Sequence, residues 1–151
     1  MNFPWERFAE DLRTEMGELG GLVRLLELHY EQEPKGGAAD ETDIETELGA
    51  QAVAVQACRS KREKMVESFL PADKLSYHLI LPGDILEQVT PEARPLLQAL
   101  SEEIERLDEY FHRLARGLPA AARQKLDQIL RSPVSSLPKS RPADLPVNSG
   151  F

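Results

Sequence analysis

The feature that most constrains the fold is an unbroken heptad spacing of apolar residues between residues 93 and 118. Alternating steps of four and three residues place these side chains on one stripe of an α-helix, and such a stripe has to be buried against other helices. The stripe consists of Ala93, Leu97, Leu100, Ile104, Leu107, Phe111, Leu114 and Leu118. The spacing predicts a long amphipathic helix of about 26 residues, roughly 39 Å in length.

Both ends of this helix carry sequence signals. Thr90 is a favourable N-cap residue, Pro91 suits the first helical position, and Gly117 and Pro119 end the pattern. Pro95 removes a hydrogen bond of the first turn, which predicts that the regular part of the helix begins beyond it.

Two earlier segments, residues 4–32 and 42–70, have a similar spacing of apolar positions. The first stripe consists of Phe8, Leu12, Met16, Leu19, Val23, Leu26 and Tyr30. The second stripe consists of Ile44, Leu48, Gln51, Val55, Cys58, Arg62, Met65 and Phe69. Each pattern predicts an amphipathic helix, although Gln51 and Arg62 interrupt the second stripe with polar side chains.

Local signals refine these two helices. Gly17, Gly20 and Gly21 each weaken the first helix by about 1 kcal/mol relative to alanine. They predict a bend at this point, or a close approach of a neighbouring helix. Thr42 and Glu45 have the spacing of a capping box at the start of the second helix.

Residues 71–90 break the helical pattern, and Pro71 supplies a stop signal for the second helix. This segment contains an apolar run before the turn signal Pro82-Gly83. A short strand, a helical turn and an irregular connector all remain open for the run. Its length favours a connector, because a single strand has no pairing partner in a helical protein.

The last part of the chain divides into a short helix and a tail. Apolar positions predict an amphipathic helix over residues 119–131, through Ala122, Leu126, Ile129 and Leu130. The proline- and serine-rich segment 132–151 predicts a flexible tail that does not build a core. The predicted fold is therefore all-α. Residues 1–131 form an antiparallel bundle of three long helices with a short C-terminal helix, and residues 132–151 form the tail.

Composition excludes several classes of function. A net charge of −8 argues against sequence-independent binding of nucleic acid, which requires clustered basic residues. The single cysteine, Cys58, excludes an internal disulfide and indicates a reducing compartment. The N-terminus lacks the basic and apolar regions of a signal peptide, and no apolar run is long enough to cross a bilayer. We expect a soluble, cytoplasmic protein without membrane insertion.

Candidate catalytic and metal-binding residues are concentrated in the heptad helix. Glu109 and His112 have the spacing that di-iron helical bundles use twice, but the motif occurs once here. The acidic residues between Glu102 and Glu109 lie on the polar sides of the helix among arginines, which is typical of a solvated surface. The chain has no glycine-rich phosphate loop, nucleophile elbow, zinc-protease motif or cysteine pair. We predict that the protein is not an enzyme and has no metal site or cofactor.

The end of the heptad stripe suggests an interaction surface. Phe111, Leu114 and Leu118 lie near the C-terminus of the helix, and another amphipathic helix follows directly. A three-helix bundle would bury the earlier part of the stripe in its own core. An amphipathic segment at the edge of a bundle is a natural place for a partner helix to dock.

Two segments carry a family resemblance: "IETELGAQAVAVQACRSKREKMVESF" at residues 44–69 and "ARPLLQALSEEIERLDEYFHRLA" at residues 93–115. Their arrangement resembles the FlgN-type flagellar export chaperones, which are acidic, all-helical and of similar length. Lys61 to Val66 stand where that family has a charged cluster before an apolar pair. Arg94 to Leu97, with the later leucines, stand where it has a leucine-rich helix. The resemblance extends over roughly residues 5–130.

The resemblance implies a binding function. Chaperones of this type hold hook–filament junction proteins by their C-terminal helices in the cytoplasm and deliver them to the flagellar type III export apparatus. It implies a docking surface formed by Leu107, Phe111, Leu114, Leu118, Leu126, Ile129 and Leu130, with the protein a monomer or a homodimer. The alternative is a structural or regulatory coiled-coil protein that self-associates through the third long helix.

Overall fold

The structure is a computed structural model that describes residues 3–32, 41–75 and 80–131. Within these ranges the chain is helical and contains no strand, so the prediction of an all-α protein is confirmed. The helices are α1 (Trp5–Gln32), α2 (Glu41–Glu67), α3 (Gly83–Leu86), α4 (Arg94–Ala115) and α5 (Ala120–Arg131), with one 3₁₀ turn at Ala72–Lys74.

Helices α1 and α2 pack against each other along most of their lengths and run in opposite directions. Midway along α1, the carbonyl oxygen of Glu18 accepts a hydrogen bond from the side chain of Gln51 in the first half of α2. One turn earlier in α1, Glu15 pairs with Arg62 near the end of α2. Residues earlier in α1 therefore contact residues later in α2, as is expected of two antiparallel helices.

Helix α4 packs on α1 and runs in the same direction. The hydroxyl of Tyr110 donates a hydrogen bond of 2.8 Å to Glu27, and one turn further along both helices the hydroxyl of Tyr30 donates to the carbonyl oxygen of Leu114. Gly117 makes this second approach possible, because a Cβ atom there would lie 2.8 Å from the Tyr30 oxygen.

Helix α5 is short and packs on the first half of α2. Ala122 and Leu126 lie beside Leu48 of α2. Leu130, at the end of α5, lies near Gln56, which is further along α2. Helix α5 thus runs in the same direction as α2 and ends about halfway along it.

The apolar stripes of the long helices meet in one core. In α4 the buried members are Leu97, Leu100, Ile104 and Phe111, and Leu107 and Leu114 are half-buried against them. Burying a side chain of this kind stabilises the fold by about 1.5–3 kcal/mol. Leu96 is the only large hydrophobic residue in the described ranges whose side chain is clearly exposed.

The start of α4 differs from the prediction. The N-cap residue is Ala93, without a side-chain cap, and the helix begins at Arg94, so Pro95 lies inside the first turn. Residues 91–93 form a separate turn, which moves the helix start away from Thr90. The Arg94 side chain donates to the carbonyl oxygens of Leu86 and Val89, so contacts with the preceding connector fix this end. A tertiary contact has replaced the predicted local cap.

The connector between α2 and α4 consists of the 3₁₀ turn, α3 and the turns around them. Ile85 of α3 and Val89 after it are buried in the core, so the connector closes one end of the bundle. Phe69 stacks edge-on against Phe3 at a centroid distance of 5.1 Å, which ties the end of α2 to the start of α1. Residues 76–79, the predicted tail at 132–151 and the side chain of Thr42 lie outside the described residues. Among the described helices, none has the length and apolar character needed to cross a bilayer.

Candidate functional site

Among the described residues, a groove lies between α2 and α4 beyond Arg131, the last residue of α5. Helix α5 has 12 residues, against 27 in α2 and 22 in α4. Beyond the end of α5 the two long helices enclose a cleft of about 660 Å³, which we call the α2–α4 groove. It is lined by Glu15 of α1, Gln56, Arg59, Arg62 and Glu63 of α2, Ile80 of the connector, Ile104, Glu105 and Asp108 of α4, and Leu130 and Arg131 of α5.

A buried ion pair joins α1 and α2 at this groove. The guanidinium of Arg62 donates from Nε to Oε1 of Glu15 at 2.7 Å and from a terminal nitrogen to Oε2 at 3.0 Å. Glu15 is 0% exposed and Arg62 is 6% exposed. The two-point geometry matches the planar fork of arginine to a carboxylate, which is the arrangement that best offsets the cost of removing both charges from water.

Arg59 connects this pair to α4. Its terminal nitrogen donates to Asp108 at 2.7 Å, and its Nε lies 3.9 Å from Oε2 of Glu15. One arginine on α2 therefore contacts carboxylates on both neighbouring helices.

Two further carboxylates face the groove beside this bridge. Glu63 follows Arg59 by four residues on α2, and Glu105 precedes Asp108 by three residues on α4. Since α2 and α4 run in opposite directions, both glutamates lie on the same side of the Arg59–Asp108 bridge. Neither forms an ion pair or a hydrogen bond within the described part of the chain. Burial raises the pKa of Glu63, and this effect outweighs the attraction of Arg62.

The remaining lining of the groove consists of three apolar residues, with Gln56 and Arg131 beside them. Ile104 and Leu130 are buried, and Ile80 is half-buried against the core. Leu130 thus lies at the end of α5, whereas Ile104 lies next to Glu105 on the acidic side of the Arg59–Asp108 bridge. Such a surface is complementary to an amphipathic segment that carries both apolar and charged side chains.

The polar interruptions of the α2 stripe have partners on α1. Gln51 donates from Nε2 to the carbonyl oxygen of Glu18 at 2.8 Å and to its side chain at 2.7 Å. The same amide nitrogen would lie 2.9 Å from a Cβ atom at Gly21, so this glycine is where the helices approach closely, as predicted. At Gly17 and Gly20 a Cβ atom would meet nothing within 4 Å.

Sequence reasoning missed Glu15, although a signal was present. Glu15 follows Leu12 by three residues and precedes Leu19 by four, so it occupies a core position of the α1 stripe. Arg62 occupies the corresponding kind of position on α2. Opposite charges at core positions of two neighbouring helices indicate a buried ion pair once the helices are known to be adjacent.

The predicted docking residues lie mainly in the core of the bundle. Phe111, Leu118, Leu126 and Leu130 are buried, and Leu107, Leu114 and Ile129 are half-buried and pack against the core. Leu130 is the member of this set that also lines the α2–α4 groove. The binding role of the set stays a prediction.

Of the residues considered for chemistry, Glu105 and Asp108 line the groove, whereas His112 and Cys58 do not. His112 is exposed, and its Nδ1 lies 2.8 Å from the carbonyl oxygen of Asp108 on its own helix. Burial, together with the nearby Glu15 and Glu18, raises the pKa of the Cys58 thiol, which disfavours the reactive thiolate form. Across the described ranges, no three histidine, cysteine, aspartate or glutamate side chains are grouped as metal ligands would be.

Comparisons with known proteins do not extend this description. A scan of protein-family models, a search of curated proteins and a search of solved structures each find no match to this chain. The groove is therefore interpreted from its own residues and geometry.

Proposed function

We propose that this protein is a chaperone that holds an amphipathic helix of a partner protein in the α2–α4 groove. The observation that carries the proposal is the groove that the described residues leave between α2 and α4 beyond the end of α5. In a bundle of three long helices with a short fourth helix, the space beyond the fourth helix is a natural seat for a helix from another chain.

The lining of the groove supports a helix as the occupant. The half-buried Ile80 offers an apolar contact beside Ile104 and Leu130, which the bundle already covers. The Arg59–Asp108 bridge and the buried Glu15–Arg62 pair hold the walls in place before binding. A groove formed in advance lowers the ordering cost of association.

The FlgN-type resemblance suggests which partner this is. By that resemblance the occupant is the C-terminal helix of a hook–filament junction protein, and the complex is then passed to the flagellar type III export apparatus. The protein's net charge of −8 is suited to a carrier that has to stay dispersed while it holds an apolar segment.

Binding of synthetic C-terminal helices from hook–filament junction proteins tests the proposal. Fluorescence anisotropy with the full chain should show saturable binding. Glu105→Trp, which fills the groove, should weaken it at least about tenfold, or about 1.4 kcal/mol. Glu102→Trp is the matched control, because Glu102 is an exposed glutamate on the same helix outside the groove. No binding, or equal losses in the two variants, would contradict the proposal.

The coiled-coil alternative is tested by sedimentation at several concentrations. The α4 stripe is buried against α1 in the structure, so self-association through it requires the bundle to open. A stable homodimer that is lost in Leu107→Asp would favour that alternative over the chaperone.

A further inference from the structure

The charges of the α2–α4 groove are only partly balanced by one another. Glu15 pairs with Arg62, and Asp108 pairs with Arg59. Glu63 and Glu105 then remain, on facing helices, without an ion pair to any residue in the described ranges. The third arginine of the lining, Arg131, is exposed at the end of α5. Four carboxylates of the lining therefore face three arginines, and Glu63 and Glu105 lie on the same side of the bridge.

The surroundings of Glu63 disfavour its charged form. Glu63 is half-buried, and burial raises its pKa despite the attraction of Arg62 and Arg59. A cation between the two glutamates would interact favourably with both. Arginine is suited to this position, since its planar fork binds carboxylates at two points.

We infer that the partner helix held in the α2–α4 groove places an arginine or lysine side chain between Glu63 and Glu105, with an apolar side chain of the same helix beside the half-buried Ile80. This inference rests on the proposed chaperone function and specifies the chemistry of its client. Ile80 lines the same groove as the two glutamates, so one face of a single helix can meet both requirements.

Two synthetic helical peptides test the inference directly. They share one apolar face and differ at one border position, which is arginine in the first peptide and citrulline, its neutral counterpart, in the second. The full-length protein should bind the arginine peptide about tenfold more tightly, a difference of about 1.4 kcal/mol. Glu63→Gln and Glu105→Gln should each reduce this preference, and the double variant should abolish it.

Glu102→Gln is the matched control for long-range charge. It changes the net charge by the same amount as Glu105→Gln, on the same helix, but Glu102 does not line the groove. The preference for arginine should persist in this variant. If Glu102→Gln and Glu105→Gln reduce the preference equally, the effect is a general attraction of basic peptides to an acidic protein, and the inference is wrong.

The remaining outcomes separate this inference from the proposed function. Equal binding of both peptides to the unaltered protein leaves the helix-binding function standing and overturns the cationic contact. Absence of binding by either peptide overturns both. A homodimer that dissociates in the Glu63→Gln, Glu105→Gln double variant also overturns the inference, because a second copy of the chain is then the occupant.

Discussion

Glu15 of α1 and Arg62 of α2 form a two-point ion pair, with contacts of 2.7 and 3.0 Å, at a place where both side chains are almost fully removed from water. Arg62→Ala should lower the free energy of unfolding by about 3–5 kcal/mol, because it leaves the Glu15 carboxylate buried without this partner. Urea denaturation monitored by circular dichroism measures this loss.

Two comparison variants complete this test. The double variant Glu15→Leu, Arg62→Met should lose much less stability than Arg62→Ala, since no unpaired charge remains. Arg13 makes an exposed ion pair with Glu10, so Arg13→Ala should cost less than about 1 kcal/mol. Equal losses in Arg62→Ala and Arg13→Ala would show that the buried pair has no special role.

The glycines of α1 should respond differently to the same substitution. Gly20→Ala should stabilise the protein by about 1 kcal/mol, because alanine favours a helix and a Cβ atom there meets nothing within 4 Å. Gly21→Ala places its Cβ atom 2.9 Å from the Gln51 amide nitrogen, which donates to Glu18. This Cβ atom should displace the Gln51 hydrogen bonds, which contribute about 1 kcal/mol each. Their loss should cancel the stability gained from the higher helix propensity of alanine. Urea denaturation that shows equal gains for both variants would contradict this account.

The predicted docking residue Phe111 should behave as a core residue. It is 1% exposed, and Phe111→Ala should cost about 3–5 kcal/mol of unfolding free energy through lost burial and the resulting cavity. Leu96 is 36% exposed on the same helix, so Leu96→Ala should change stability by less than about 1 kcal/mol. Thermal denaturation of the two variants is the measurement, and a small effect of Phe111→Ala would place this side chain on an accessible surface instead.

Glu63 should give the stability a small pH dependence. Burial raises its pKa in the folded protein, so the folded state holds the proton more tightly than the unfolded state. Its contribution to stability is therefore present at pH values below the unfolded pKa and is lost as the pH rises through the folded pKa. Glu63→Gln should stabilise the protein at pH 7, by less than about 1 kcal/mol, and the gain should shrink towards about pH 4.

The control for this pH dependence is Glu102→Gln on the exposed surface of α4. It should leave the unfolding free energy within about 0.5 kcal/mol at both pH values. Urea denaturation at pH 7 and pH 4 provides the comparison. A gain from Glu63→Gln that grows as the pH falls would have the wrong sign for a carboxyl group whose pKa is raised by burial.

The helical class and most helix bodies could be predicted from the amino-acid sequence. The stripes of α1, α2 and α4 are local patterns, because residues three and four apart share a helix face whatever surrounds them. The glycines of α1 predicted either a bend or a close approach of a neighbouring helix, and the close approach is found at Gly21. The start of α4 was not, since Arg94 fixes it through carbonyl oxygens of the connector rather than through a cap at Thr90.

The sequence by itself determined that this chain forms amphipathic helices, since the spacing of apolar residues within each segment decides which face is buried. Only the tertiary structure decided that Glu15 meets Arg62, that Arg59 reaches Asp108, and that Glu63 and Glu105 border one groove. These relationships depend on which helices are neighbours, on their relative directions and on the point where α5 ends. Each depends on contacts between residues far apart in the chain, and no spacing within a single helix encodes them.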